Sequence, residues 1–123
     1  MMKIDRILLV DDNEASNFLA RSILQDMDLA AHVDTAKNGE EATHKLEENT
    51  PDLLFLDMKM PVMDGFQFLE RNNQLPDSIQ VISLTTNLTP PELARLKDYG
   101  VRHFMEKPIT RPKVEALIGK ISG

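Results

Sequence analysis

The sequence predicts a single doubly wound α/β domain built on five parallel strands, and three observations carry that expectation. Three short apolar runs lack polar alternation, as strands covered on both faces do. Segments with helical spacing alternate with them and with two more polar strand candidates. Each run also ends abruptly in polar residues.

Taken in order, Ile7-Leu8-Leu9-Val10 is the first strand, and helical spacing follows over roughly 14–26. His32 to Ala36 is shorter and more polar, which suits a sheet edge, and a helix over 39–48 follows, opened by Asn38 with Glu41 three residues on. Leu53-Leu54-Phe55-Leu56 is the third strand. Beyond it Pro61 stiffens a loop, Gly65 allows a turn, and a helix covers 65–73. Val81-Ile82-Ser83-Leu84 is the fourth strand, and Thr89-Pro90-Pro91-Glu92 reads as a capping box for a helix over 91–99, closed by Tyr99-Gly100. Arg102 to Glu106 forms the other edge strand. Thr110 and Pro112 open the last helix, where Val114, Leu117, Ile118 and Ile121 share one face. Phe66, Phe68, Leu69 and the methionines read as core. No repeat, low-complexity tract or linker interrupts the chain, so one domain is expected over 1–123, with no second domain.

A chain of 123 residues with 41% hydrophobic residues can bury a core without disulfides. It has no cysteine, which fits a reducing compartment and excludes thiolate zinc sites. The run Ile7 to Val10 is too short for a signal-peptide core, and nothing is long enough to cross a bilayer, so a cytoplasmic protein is expected. A net charge of −6 and a pI near 5.0 repel a phosphate backbone, which argues against direct nucleic-acid binding.

In open parallel sheets the functional crevice lies beyond the carboxyl ends of the strands. Asp11 and Asp12 follow the first strand, Asp57 the third, Thr85 the fourth and Lys107 the fifth. Three converging carboxylates repel one another unless a cation sits among them. Mg²⁺ suits an all-oxygen set that leaves room for waters and phosphate oxygens. A carboxylate can attack phosphorus to give an acyl phosphate, so Asp57 is the candidate acceptor, with Lys107 and Thr85 stabilising the phosphoryl oxygens. Simpler readings stand beside these. Asp11 and Asp12 alone could cap the first helix, Asp57 could end a turn, and Lys107 could be a solvated charge. Thr86 and Thr89 compete with Thr85 as caps or surface hydroxyls. His32, His44 and His103 lack metal-ligand spacing and read as surface or edge residues.

The strings LLVDDNE, FLDMKMPVMDGF, ISLTT and FMEKPI, in that order at four strand ends, resemble the chemotaxis-regulator-like receiver domain of two-component signalling over essentially the whole chain. That resemblance implies a flavodoxin-like sheet of order 2-1-3-4-5 with five helices. It implies phosphorylation of Asp57 by a sensor histidine kinase, a phosphotransfer protein or a small phosphodonor. Asp12 and Asp57 would ligate Mg²⁺ directly, Asp11 through water, and the Lys59 backbone carbonyl would complete the set. Thr85 and Phe104 match switch positions, and the Lys107-Pro108 bond matches a cis peptide. Phosphorylation would remodel the surface of the fourth helix, fifth strand and fifth helix, the face also implied for a homodimer or a downstream protein. Such a chain is a phosphoacceptor rather than an enzyme, apart from slow loss of its own phosphoryl group. Thr86 stands where the family usually has Ala or Gly and narrows access. Lys59 and Asn87 stand where the family tunes phosphoryl lifetime. Phe104 lacks the hydroxyl of the tyrosine often found there, so its two states differ by packing alone.

Other functions fit less well. An aspartyl-phosphate hydrolase of the haloacid-dehalogenase kind needs an acid where Lys59 stands. A flavin domain needs a phosphate loop where Asp11, Asp12 and Glu14 would repel it. A receiver-like interaction module that works without phosphorylation is the closest rival, kept open by Thr86 and Lys59.

Overall fold

The computed structural model describes residues 4–72 and 75–122. Five strands and five helices alternate: β1 (Ile4–Val10), α1 (Glu14–Asp26), β2 (Ala30–Ala36), α2 (Gly39–Glu48), β3 (Leu53–Asp57), α3 (Gly65–Arg71), β4 (Gln80–Thr85), α4 (Pro90–Asp98), β5 (His103–Glu106) and α5 (Arg111–Ser122). All pairings are parallel and the sheet order is β2-β1-β3-β4-β5, as the sequence leads one to expect. Every residue of the central β3 is buried, which is why its run shows no alternation. One face of the sheet packs Leu8, Leu54 and Leu56 against Phe66, Phe68 and Leu96 of α3 and α4. The other packs Ile7, Leu53 and Phe55 against Leu24 of α1 and Val114 of α5.

The edges differ from expectation because pairing, not apolarity, sets them. β1 starts at Ile4 and β2 at Ala30, where these two residues pair. The Asp52 carboxylate accepts from the Asp5 and Arg6 amides at 2.7 and 3.1 Å, and Arg6 reaches Asp34 across the strands at 2.6 Å. Polar side chains therefore complete this end of the sheet. β5 begins at His103 rather than Arg102, and α3 ends at Arg71 with Asn72 as its C-cap, while residue 73, the expected end, lies outside the described residues.

Helix starts follow side-chain capping. Thr89 and Glu92 form the expected capping box, and Asn38 accepts from the Glu41 amide at 2.8 Å. A second complete box joins Asp64 to Gln67 at the start of α3. Gly100 has φ of 83°, the left-handed residue that closes α4. Gly65 serves a close approach rather than a special φ, because a Cβ there would lie 2.8 Å from the Met58 Cα.

Val62 is a β-branched residue at φ of 68° whose side chain is 86% exposed. That conformation costs an L-residue about 1–2 kcal/mol, and no packing repays it here. Val62→Gly is therefore expected to raise folding stability by about 1 kcal/mol, read as an increased urea midpoint at unchanged m-value.

Candidate functional site

The carboxyl ends of β1, β3, β4 and β5 bring the sequence-predicted residues to one rim. Asp57 is the last residue of β3 and only 4% exposed. Its Oδ1 accepts from the Lys59 amide at 3.0 Å, and its Oδ2 accepts from Lys107 Nζ at 3.2 Å. Lys107 also reaches Asp11 Oδ2 at 2.9 Å, so one ammonium bridges two buried acids. Asp11 Oδ1 accepts from the Asn13 amide at 3.0 Å. Asp12 is exposed. One carboxylate oxygen from each of Asp11, Asp12 and Asp57 lies within 4.8 Å of the others.

This geometry bears on the simpler readings of these residues. Asn13, not Asp11 or Asp12, caps α1, accepting from the Ser16 amide at 3.0 Å. Lys107 is no free surface charge, since its side chain is 21% exposed and doubly paired. Thr89 is consumed as the α4 cap and Thr86 is exposed, whereas Thr85 ends β4 beside the acids. The Thr85 carbonyl accepts from the Lys107 amide at 3.0 Å, which ties the fourth and fifth strand ends together. The Lys107-Pro108 bond is cis, and Asn87 has φ of 132°. Phe104 lies on edge strand β5 and is 37% exposed. His32 and His44 are exposed, while His103 is half-buried, and burial pushes its pKa down, helped by Lys120 and Arg102.

Burial pushes the Asp57 carboxyl above its usual range, and the charge of Asp11 adds to that, against the opposing Lys59 amide and Lys107. Desolvation works against the Lys107 ammonium, yet its hydrogen bond to Asp11 and the pull of both carboxylates together outweigh it and raise its pKa. The rim is thus an acid-rich, oxygen-only pocket with one cation. Such a donor set fits a hard divalent ion and gives a soft metal no nitrogen or sulfur ligand.

Asn17 escaped the sequence reading. It is 8% exposed, and its Nδ2 donates to the Asp11 carbonyl at 2.9 Å and the Ala36 carbonyl at 3.3 Å, so it fixes the backbone that aims Asp11. The available signal was a polar residue three before Ala20 and seven before Leu24, on the buried stripe of α1. Asn17→Ala is expected to cost about 2 kcal/mol by stranding the buried Asp11 carbonyl, while the Ala36 carbonyl keeps its bond from the Asp11 amide at 3.0 Å, measured by urea unfolding.

Beside Asp11 and Lys107 an apolar cavity of 360 Å³ is lined by Leu19, Ala20, Ile23, Leu84 and Ile109. Phe18 and Leu19 of α1 are 68% and 62% exposed. No helix among the described residues is long and apolar enough to cross a membrane.

Comparison with known proteins agrees with this fold. A two-component response regulator of Oryza sativa subsp. japonica is 28% identical over 120 residues, covering 96% of this chain and 94% of that protein. The histidine-protein kinase BarA of Escherichia coli is 31% identical over 114 residues, covering 91% of this chain but 12% of the kinase. Among solved structures, a two-component response regulator from Cytophaga hutchinsonii has a TM-score of 0.84 at 25% identity, covering 98% of both chains. The CheY of a CheX-CheY-BeF3-Mg complex from Borrelia burgdorferi also has a TM-score of 0.84, at 26% identity, covering 97% of this chain and 90% of that one. Residues 7–119 match the response regulator receiver domain, and with a parallel sheet of this order the chain belongs to that family.

Proposed function

We propose that Asp57 accepts a phosphoryl group in a Mg²⁺-dependent reaction and that the domain thereby changes its partner-binding surface. The observation that carries this reading is the pairing of one lysine with two buried carboxylates beside an exposed third. An Asp57 oxygen attacks phosphorus of a phosphohistidine or an acyl phosphate, a P–O bond forms, and the P–N or donor P–O bond breaks as the leaving group departs with its electron pair. Lys107 stays on the rim and neutralises an equatorial oxygen, and Thr85 donates its hydroxyl to another.

Asp12, Asp57 and the Lys59 carbonyl would hold Mg²⁺, with Asp11 acting through water. When bound, the ion offsets negative charge on the acids and the phosphoryl oxygens. Lys59 and Asn87, two residues beyond the acceptor and the hydroxyl, flank the phosphoryl group and set its lifetime. Phe104, half-exposed on an edge strand, serves as the aromatic switch, and the α4, β5 and α5 surface carries output or homodimerisation.

The test is intact mass after incubation with Mg²⁺ and acetyl phosphate. An added phosphoryl mass that needs Mg²⁺ supports the reading, and none under any condition leaves an interaction module that works without phosphorylation. For a protein donor, a sensor kinase or phosphotransfer domain, exposed Phe18 and Leu19 next to the apolar cavity provide the seat. The double variant Phe18→Ala, Leu19→Ala is expected to slow phosphotransfer from such a donor at least about tenfold while leaving acetyl phosphate uptake unchanged, as read by radiolabel transfer.

A further inference from the structure

Ser83 has a buried hydroxyl with no hydrogen-bond partner, and its residue is 0% exposed. A hydroxyl taken out of water without a replacement bond costs free energy, and alanine of nearly the same size would avoid that cost. An orphan of this kind calls for a reason.

Its position supplies one. Ser83 on β4 pairs with Leu56 on one side and Phe104 on the other. Residues in register on neighbouring parallel strands point to the same face, and those strands run about 4.8 Å apart. The row therefore reads Val10, Leu56, Ser83, Phe104, passing from the deep core to a half-exposed aromatic. Thr85 lies two residues beyond Ser83 on the same face of the same strand. Ser83 is the small side chain between a leucine and the edge phenylalanine, and it is the place over which the Phe104 ring comes to lie if it turns toward the core.

We propose that Ser83 is the inner seat of the Phe104 switch: its small size admits the inward ring, and its hydroxyl, unpartnered with the ring outward, donates to the ring face once the ring is in. This inference rests on the switching function proposed above. Phe104 has no hydroxyl of its own to reward one position over the other, so the seat supplies the polar preference from the other partner. The contact is a weak one individually, but it is gained against a group that has nothing in the outward state. Ser83 acts through Phe104 and is a positioning residue.

The experiment uses the whole chain labelled with 4-fluorophenylalanine, whose five ring signals are assigned with Phe104→Leu. Fluorine NMR reads the Phe104 ring position with and without Mg²⁺ and beryllofluoride, and intact mass with acetyl phosphate checks the acceptor separately. Ser83→Ala is expected to raise the melting temperature by about 2–4 °C yet to lower the inward-to-outward ratio about fivefold. Ser83→Val fills the seat and is expected to hold the ring outward while Asp57 still takes up phosphate. If Ser83→Ala raises stability and leaves the ring ratio as in the wild type, the hydroxyl is merely tolerated and the inference falls. If the wild-type ring does not move although the chain gains phosphoryl mass, the seat falls while the acceptor stands. If no mass is gained at all, the proposed function itself is overturned.

Discussion

Asp57→Asn is expected to abolish the phosphoryl mass gained with Mg²⁺ and acetyl phosphate and, in metal-free buffer, to make the fold more stable than the wild type. The amide keeps the shape of the side chain and an oxygen for the Lys59 amide at the same place. It lacks the nucleophilic anion, so uptake falls to background rather than by a factor. The gain in stability follows from charge. Burial and Asp11 hold the folded-state pKa of Asp57 above its ordinary value. A group of that kind supports the fold fully below its unfolded pKa and loses that support as pH rises through the raised folded value. Without metal, the wild type should thus lose stability as pH climbs out of the ordinary carboxylate range, and Asp57→Asn should lack that decrement.

Mg²⁺ should reverse the order. A ligand bound only by the folded state adds about 2.7 kcal/mol at a hundredfold excess over its Kd, and the variant, short of one ligand, should gain much less. Thermal melts in chelator and in Mg²⁺, across pH, check both signs. Phosphoryl mass on Asp57→Asn, or a variant less stable than wild type in chelator, would sink the assignment of Asp57 as a strained acceptor.

The parts of this site that were legible in the sequence are those that parallel topology dictates. Leu53 to Leu56 is apolar because both faces are covered, and whatever follows such a strand must emerge at the rim. Asp57, Asp11, Thr85 and Lys107 could therefore be placed together before any coordinates. Residues whose role depends on a partner's backbone were not legible. Asn17 looks like any helical asparagine until the Asp11 and Ala36 carbonyls come within reach, and the Lys59 amide that holds Asp57 has no side-chain signature. Ile4 to Arg6 joins the sheet through Ala30 and His32, a pairing that hydropathy does not encode. Ser83 read as one more member of an apolar run, and only its register with Phe104 gives the hydroxyl a meaning. The Asp64 and Gln67 box, by contrast, was present as a simple spacing and went unread.

Lys107→Met is expected to act in opposite directions on the two ligands of the site. Methionine keeps much of the length and removes the charge, leaving Asp11 and Asp57 buried with no basic partner. Stranding buried charges costs about 2 kcal/mol or more, so the metal-free variant should unfold at lower urea. The same unopposed charge draws a divalent cation more strongly. Coulomb attraction at a few ångströms in a partly buried rim is large enough that losing one cation should tighten Mg²⁺ about tenfold. Isothermal titration calorimetry is the suitable measurement, since the chain has no tryptophan to report binding. Phosphoryl uptake should move the other way and slow about a hundredfold, because no remaining side chain supplies a positive charge to the transferring oxygens from that direction. A merely structural lysine would weaken the fold without separating these effects. Tighter Mg²⁺ together with slower uptake is the signature of an ammonium that occupies cation space in the resting site and meets the phosphoryl group in the working one. Uptake within twofold of the wild type would remove Lys107 from the chemistry and leave it as a counter-ion only.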